Sequence, residues 1–339
     1  MNGGFGRFYN NLYLCTLLCK FAKRLEMTKR QIILLVLCLQ CVVMMAQFSD
    51  PREKLGITAS VDGSTNTDYK WKTEDGELLE KGRMKPGVNA RLRVGVKLLG
   101  TKKFSMSFSP FYNFSNRRMS AYTDGPQLNL YIPNEHHHYG GAVSATYSTQ
   151  LFGKPFIVAA SVTGNFSQYG YENFSTMGTA MFTITRNRST YLALGALCLV
   201  GTSVSWPLYP MIIYTHRFND RWSVNCFETN NYLNYHVSQK LRCALGMEIV
   251  TDKIYLRPDR KDMPRKTEIS ELSERFGLFA DYQATKDLAL NFGMGATVPF
   301  YMRLRESGYN KTYMRMYDHV KPFVKLQLKY TISSQSKQH

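Results

Sequence analysis

A chain of 339 residues with 43 Lys and Arg against 25 Asp and Glu carries a formal net charge of +18, the excess a nucleic-acid-binding protein would show. An export leader ahead of the main pattern takes it away from nucleic acid, which is excluded as a partner. Of its seven cysteines only Cys198, Cys226 and Cys243 lie beyond that leader, an odd number without metal-ligand spacing, so a disulfide framework is excluded too.

Residues 1–26 have no strand-like pattern and no acid before Glu26, and they are read as a mis-assigned upstream segment. Residues 27–46 form a signal peptide: Lys29 and Arg30, the apolar run Ile32–Met45, then Ala46 at the cut. That run is too short to span a membrane comfortably as a helix. Cys41 lacks the small preceding residues that lipid attachment needs.

From residue 47 to 339 one pattern recurs. Leu55–Asn66 is a faint first strand, followed by a long polar loop, Gly63–Gly87. Asn89–Leu98 sets Leu92, Val94, Val96 and Leu98 against Arg91, Arg93, Gly95 and Lys97, and Phe104–Phe114 sets aromatics against Ser105, Ser107 and Ser109. Ser115–His138 is the second long loop, and its His136-His137-His138 run reads as plain loop rather than a metal site. Tyr139–Gln150, Phe156–Phe166, Met177–Thr185 and Tyr191–Val200 follow. Tyr191–Tyr214 lacks any charged residue and would register as a membrane helix, but Pro207 and Pro210 interrupt it. Two strands with a tight loop near Trp206-Pro207 suit it better. Met211–His216, Trp222–Phe227, a short Tyr232–Val237 and Leu241–Val250 come next, then a third long loop, Thr251–Arg275. Phe276–Gln283, Leu288–Val298, a fourth loop Arg303–His319 and Val320–Ile332 complete the chain.

A period of two sustained over about ten residues, strand after strand, marks transmembrane β-strands with one face to lipid and one to a lumen. Six short polar connections separate strand pairs: Leu99–Lys102, Leu151–Lys154, Thr185–Ser189, Arg217–Arg221, Val237–Lys240 and Ala284–Asp287. All six are placed at the periplasmic rim. The fold class is all-β: an antiparallel up-and-down barrel of 12–14 strands, a single domain in the outer membrane of a Gram-negative bacterium.

Aromatics make up 13% of the chain, and Tyr112, Phe114, Tyr139, Tyr147, Tyr209, Trp222, Tyr282, Tyr301 and Tyr330 sit near strand ends where an interfacial girdle belongs. If the apolar faces meet lipid, Arg91, Arg93, Lys97, Lys321, Lys325 and Lys329 point inward. The first and last strands become neighbours on closure, so these six would form one basic lumen wall favouring anions. The competing reading pairs them with inward acids such as Glu248, Glu274 and Asp281. Basic residues could also meet anionic lipid A headgroups. His216, His236 and His319 each stand alone, with no serine in a catalytic motif, so no enzyme, metal or cofactor is expected.

The run Tyr209-Pro-Met-Ile-Ile-Tyr-Thr-His-Arg-Phe-Asn-Asp-Arg-Trp222, continuing to Tyr235 and Gly246, and the ending Lys321-Pro-Phe-Val-Lys-Leu-Gln-Leu-Lys-Tyr-Thr-Ile332, together with the start Ala46-Gln47, resemble an uncharacterised family of outer-membrane β-barrels from Bacteroidota, a domain of unknown function, over residues 50–332. The resemblance implies a barrel handled by the assembly machinery and carries over no functional residues. One departure is the polar tail after Ile332, where an aromatic terminal residue is usual. The expected function is passive: a porin-like channel or binding barrel for small, anionic solutes. The alternative is a non-conducting barrel that engages partners through its external loops.

Overall fold

The computed structural model describes residues 53–124, 126, 128, 130–201, 207–226, 230–309 and 311–333. The upstream segment, the leader, Trp206 and the polar tail 334–339 lie outside the described residues. Among the described residues every regular element is a strand. In chain order they are β1 (Glu53–Ser64), β2 (Thr67–Lys72), β3 (Leu78–Met84), β4 (Gly87–Gly100), β5 (Phe104–Asn116) and β6 (Met119–Ala121). Next come β7 (Glu135–Leu151), β8 (Lys154–Ser167), β9 (Gly170–Arg186), β10 (Thr190–Val200), β11 (Leu208–Arg217) and β12 (Trp222–Cys226). The last six are β13 (Asn230–His236), β14 (Leu241–Leu256), β15 (Thr267–Gln283), β16 (Leu288–Glu306), β17 (Thr312–Asp318) and β18 (Lys321–Ser333).

Fourteen of these close an antiparallel ring in the order β1-β4-β5-β7-β8-β9-β10-β11-β12-β13-β14-β15-β16-β18, with β18 pairing back onto β1. Closure satisfies every edge, which is the condition for a sheet to stand in lipid. The outer face is greasy: Val61, Leu92, Val162, Leu194, Leu278 and Leu326 are all exposed. Tyr112, Tyr139, Tyr147, Trp222, Tyr282 and Tyr330 are exposed on the outside as a girdle requires. A closed barrel with such a belt is an outer-membrane protein of a Gram-negative bacterium. The six predicted turns join β4–β5, β7–β8, β9–β10, β11–β12, β13–β14 and β15–β16, all at the rim where Glu53 opposes Ser333.

The opposite rim departs from expectation. Thr251–Arg275 is not a loop: β14 runs on to Leu256 and β15 starts at Thr267. Strands of 16, 17 and 19 residues in β14, β15 and β16 exceed the 9–11 or so that a tilted strand needs to cross a bilayer, so their upper halves leave it. The connections predicted as loops over 63–87, 115–138 and 303–319 contain β2, β3, β6 and β17, which extend from upper β16 as a second sheet, β16-β17-β2-β3-β6. Its inner face carries a core of its own. One row across three strands is Met302–Met316–Trp71, and another is Ile254–Ile269–Leu304–Met314. All seven of these side chains are buried, and Leu128 and Met263 pack into the same core. This cap is a small packed unit standing on the barrel. His136-His137-His138 is likewise strand, within β7, with His136 and His138 inward. Tyr209 is no girdle residue either: it turns inward and packs beside Leu197 and Met211.

One glycine shows how tightly the inner face is filled. Tyr232 on β13 lies directly opposite Gly246 on β14, and its hydroxyl donates to Glu248 Oε1 at 2.6 Å. A Cβ on Gly246 would stand 2.0 Å from the Asn231 carbonyl oxygen and 2.6 Å from the ring. Gly246→Ala should therefore cost about 1–3 kcal/mol of barrel stability, read as a lowered unfolding midpoint on heat-modifiable gels. An unchanged midpoint would mean that the ring is not held there.

Candidate functional site

The lumen has two levels. At the upper level, side chains reach across it. Arg117, just past β5, donates to Asp252 of β14 at 2.8 Å and to Glu271 of β15 at 2.5 Å. Asp62 of β1 accepts from Arg275 at 2.6 Å, from Arg91 at 2.5 Å and from Asn89 at 2.9 Å. These groups line a narrow pocket with Ser64, Thr297 and Lys321. Charged hydrogen bonds of this kind are strong, and each charge buried here has an opposite partner within reach.

Beside this layer the barrel is pinched. β7 and β14 stand half-way round the ring from each other, yet the His138 and Tyr255 rings meet at 5.3 Å. Arg257, just past β14, pairs with Glu172 of β9 at 2.7 Å, and Asn173 donates to Ser307 at 2.9 Å. The upper parts of β14–β16 thus lean on the inner face of β7–β9. The short walls β12 and β13, of 5 and 7 residues, leave room for them to do so.

The lower level lies toward the rim with the turns. Register places Lys329, Thr58 and Arg93 in one row across β18, β1 and β4, and Gln327, Ser60 and Arg91 in the next. The expected adjacency of first and last strands is real. Arg93 and Lys329 are exposed to this vestibule, and among the described residues no acid pairs with Arg93. The other predicted cations divide. Arg91 is held by Asp62, Lys321 by Asp318 at 2.7 Å, and Lys325 by both oxygens of Glu248 at 3.0 Å. Asp281 takes Arg242, whereas Glu274 is buried with one carboxylate oxygen lacking a hydrogen bond. Lys97 folds back over Gly100 toward the rim.

The wall facing this row is apolar. Ala193, Leu197, Met181 and Met211 on β9–β11 form a buried inward cluster. Arg117 falls within the stretch 115–138 expected to be a loop, and its ion pairs to β14 and β15 could not be read from its neighbours in sequence.

His236 is not alone, since Ser223 Oγ lies 3.2 Å from its Nε2, and among the described residues no carboxylate orients the ring. His216 meets Thr190 at 2.9 Å. Among the described residues no three His, Cys, Asp or Glu side chains gather as a metal site.

A family profile described as Domain of unknown function (DUF6268) matches residues 154–331, from the start of β8 nearly to the end of β18. No curated protein matches the sequence. Among solved structures, the chain is similar to the COG4313 outer membrane channel from Pseudomonas putida F1 at 11% identity and a TM-score of 0.42, covering 85% of this chain and 98% of that one. It is similar to the P. putida toluene transporter TodX at 9% identity and a TM-score of 0.36, covering 88% and 94%. A Pseudomonas aeruginosa FadL homologue matches at 10% identity and a TM-score of 0.37, covering 84% and 93%. It is the closed sheet and apolar belt of this chain itself that make it a membrane barrel.

Proposed function

We propose, for a chain that belongs to the DUF6268 family, a domain of unknown function, that it is a passive outer-membrane barrel admitting or holding small anionic solutes in its lower lumen. A source in Bacteroidota, implied by the resemblance of Ala46-Gln47, the run from Tyr209 to Gly246 and the ending Lys321–Ile332, is part of the same proposal. The row Lys329–Thr58–Arg93 carries the reading: cations stand exposed in a vestibule where Arg93 has no acid to neutralise it. Fixed charge on a low-dielectric wall raises the local concentration of the opposite ion. The upper layer, with its cations matched by acids, adds little to that field and acts as a constriction.

Planar-bilayer recording of the purified barrel tests this. A small conductance biased toward anions is expected, and Arg93→Glu should shift the permeability ratio toward cations by about threefold or more. Unchanged selectivity in the variant would remove the basic row from the mechanism.

The second reading, a non-conducting barrel working through its surface, has its own supporting observation in the side chains that cross the mouth. A bilayer that stays silent for the intact barrel and for mouth-opening variants would select it.

A further inference from the structure

The six short connections of the barrel carry one sign of charge. Residues 101–103, 152–154, 186–189, 217–221, 237–240 and 284–287 hold nine Lys and Arg against two Asp. Asp220 is taken by Arg217 at 3.0 Å, and Asp287 stands beside Lys286. Every connection contributes a cation: Lys103, Lys154, Arg188, Arg221, Lys240 and Lys286, all exposed. Among the described residues no carboxylate pairs with any of these six. The cap end differs, since Arg83, Arg257, Arg260 and Arg315 there each hold an acid within 3.3 Å.

Register fixes the height of these cations. Just above the turns Phe104 opposes Tyr147 across β5 and β7, and Trp222 opposes Tyr235 across β12 and β13. The row Leu241–Tyr282–Leu290–Leu328 crosses β14, β15, β16 and β18 at the same rim. Phe104, Tyr147, Trp222, Tyr282 and Leu328 are exposed, and alternation ties them to the apolar belt. Phe104 leads by twos to Phe108 and Tyr112, Tyr282 to Leu278 and Phe276, and Leu328 to Leu326 and Val324, all exposed in turn. The cations begin where this belt ends. Lys103 precedes Phe104, and Lys154 shares the face of Phe156 and Val158. Arg221 precedes Trp222 and donates to the Tyr235 hydroxyl at 3.5 Å, while the Tyr235 and Trp222 rings meet at 4.9 Å. Lys240 precedes Leu241, which opposes Tyr282. Girdle rings sit at headgroup level, so charges one or two residues beyond them stand among the headgroups.

We infer that this ring of turn cations binds the phosphate groups of anionic phospholipid in the leaflet that meets the turn rim. The long excursions that build the cap mark the opposite rim as the external one, so this leaflet is the periplasmic one. A leaflet of anionic lipid attracts each Lys or Arg held near its surface, and phosphate accepts charge-assisted hydrogen bonds from both. The cations are spread over all six connections, around the circumference of the barrel, and an annulus of lipid has that same distribution. A folded protein partner would cover only an arc of it.

The test uses the whole barrel, stripped of lipid in neutral detergent, against a variant with Lys103→Gln, Lys154→Gln, Arg221→Gln and Lys240→Gln. Unfolding midpoints are followed as phosphatidylglycerol, phosphatidylcholine or inorganic phosphate is added. The parent should respond to phosphatidylglycerol at lower concentration than to phosphatidylcholine. The variant should need about tenfold or more phosphatidylglycerol for half its response. High salt should weaken the parent's preference. If the fourfold variant fails to fold, Lys103→Gln with Lys240→Gln gives the same comparison, because the bonds made at 103 and 240 are backbone ones. Lys70→Gln with Lys81→Gln removes two charges at the cap end and should leave the response as in the parent. Equal responses of parent and ring variants would overturn the inference, and so would equal responses to the two lipids. A loss as large in the cap variant would show that net charge, not the ring, sets the preference. Full stabilisation by inorganic phosphate alone would overturn the lipid assignment.

Discussion

Replacing Arg117 by methionine is expected to loosen the mouth of the barrel and raise its conductance several-fold in planar bilayers. The residue joins Asp252 and Glu271, on two neighbouring strands, to the connection that leaves β5. Removing it strands two carboxylates that are each less than a tenth exposed, and breaking a buried pair in this way costs about 3–5 kcal/mol. Where the carboxylates do not take up protons instead, they escape that penalty by drawing water between the upper sheet and the β5 side, which is the path an ion would use. A triple variant separates opening from simple instability. Arg117→Met combined with Asp252→Asn and Glu271→Gln removes all three charges, so most of the lost stability should return while the conductance stays high. If the single variant conducts no more than the parent while its midpoint falls, the layer holds the fold without narrowing a path.

What could be read from the residues and what could not divides at the membrane surface. Inside the bilayer a strand meets only two environments, so Val324, Leu326 and Leu328 alternating with Lys325, Gln327 and Lys329 declare their faces outright. The six turns were legible for the same reason, since each is a few polar residues between two such runs. Above the bilayer both faces of β14–β16 are covered, and the alternation changes meaning. Lys253, Glu268 and Arg305 read as loop charges, yet Glu268 is buried and lies 3.7 Å from Lys253 and 3.5 Å from Arg305. Those partners sit on neighbouring strands and are invisible to any local window. β2 is a milder case. Thr67, Tyr69 and Trp71 alternate with Asp68, Lys70 and Lys72, a clean period of two, but six residues amid polar ones look like part of a loop. For the lumen wall, register was the missing quantity. The basic residues could be assigned to one face, but only strand pairing shows that Lys325 falls within reach of Glu248 while Arg93 meets no acid among the described residues.

The cap provides the other large effect. Trp71 is almost completely buried at the end of the row Met302–Met316–Trp71, and Tyr69 beside it donates to Glu80 at 2.8 Å. Trp71→Ala should cost about 3–5 kcal/mol. That loss should stay local, for a geometric reason. The cap sheet is joined to the barrel wall through four opposed residue pairs, Met302–Arg305 of β16 against β17, whereas the ring of fourteen strands closes through β1 and β18 without it. Hydrogen exchange should therefore show protection lost in β2, β3 and β17 and retained in β1 and β18. Limited proteolysis should cut the turns at 73–77 and 307–309, while the barrel keeps its heat-modifiable mobility on gels. Trp71→Phe keeps most of the volume and should cost less than about 1.5 kcal/mol. Collapse of the whole barrel in Trp71→Ala would show that the cap core is needed to hold the β14–β16 wall in its inward lean. Because that lean is what closes the mouth, a local loss of the cap should also raise conductance, though less than the Arg117 change does, since the Arg117 ion pairs remain to hold upper β14 and β15 in place.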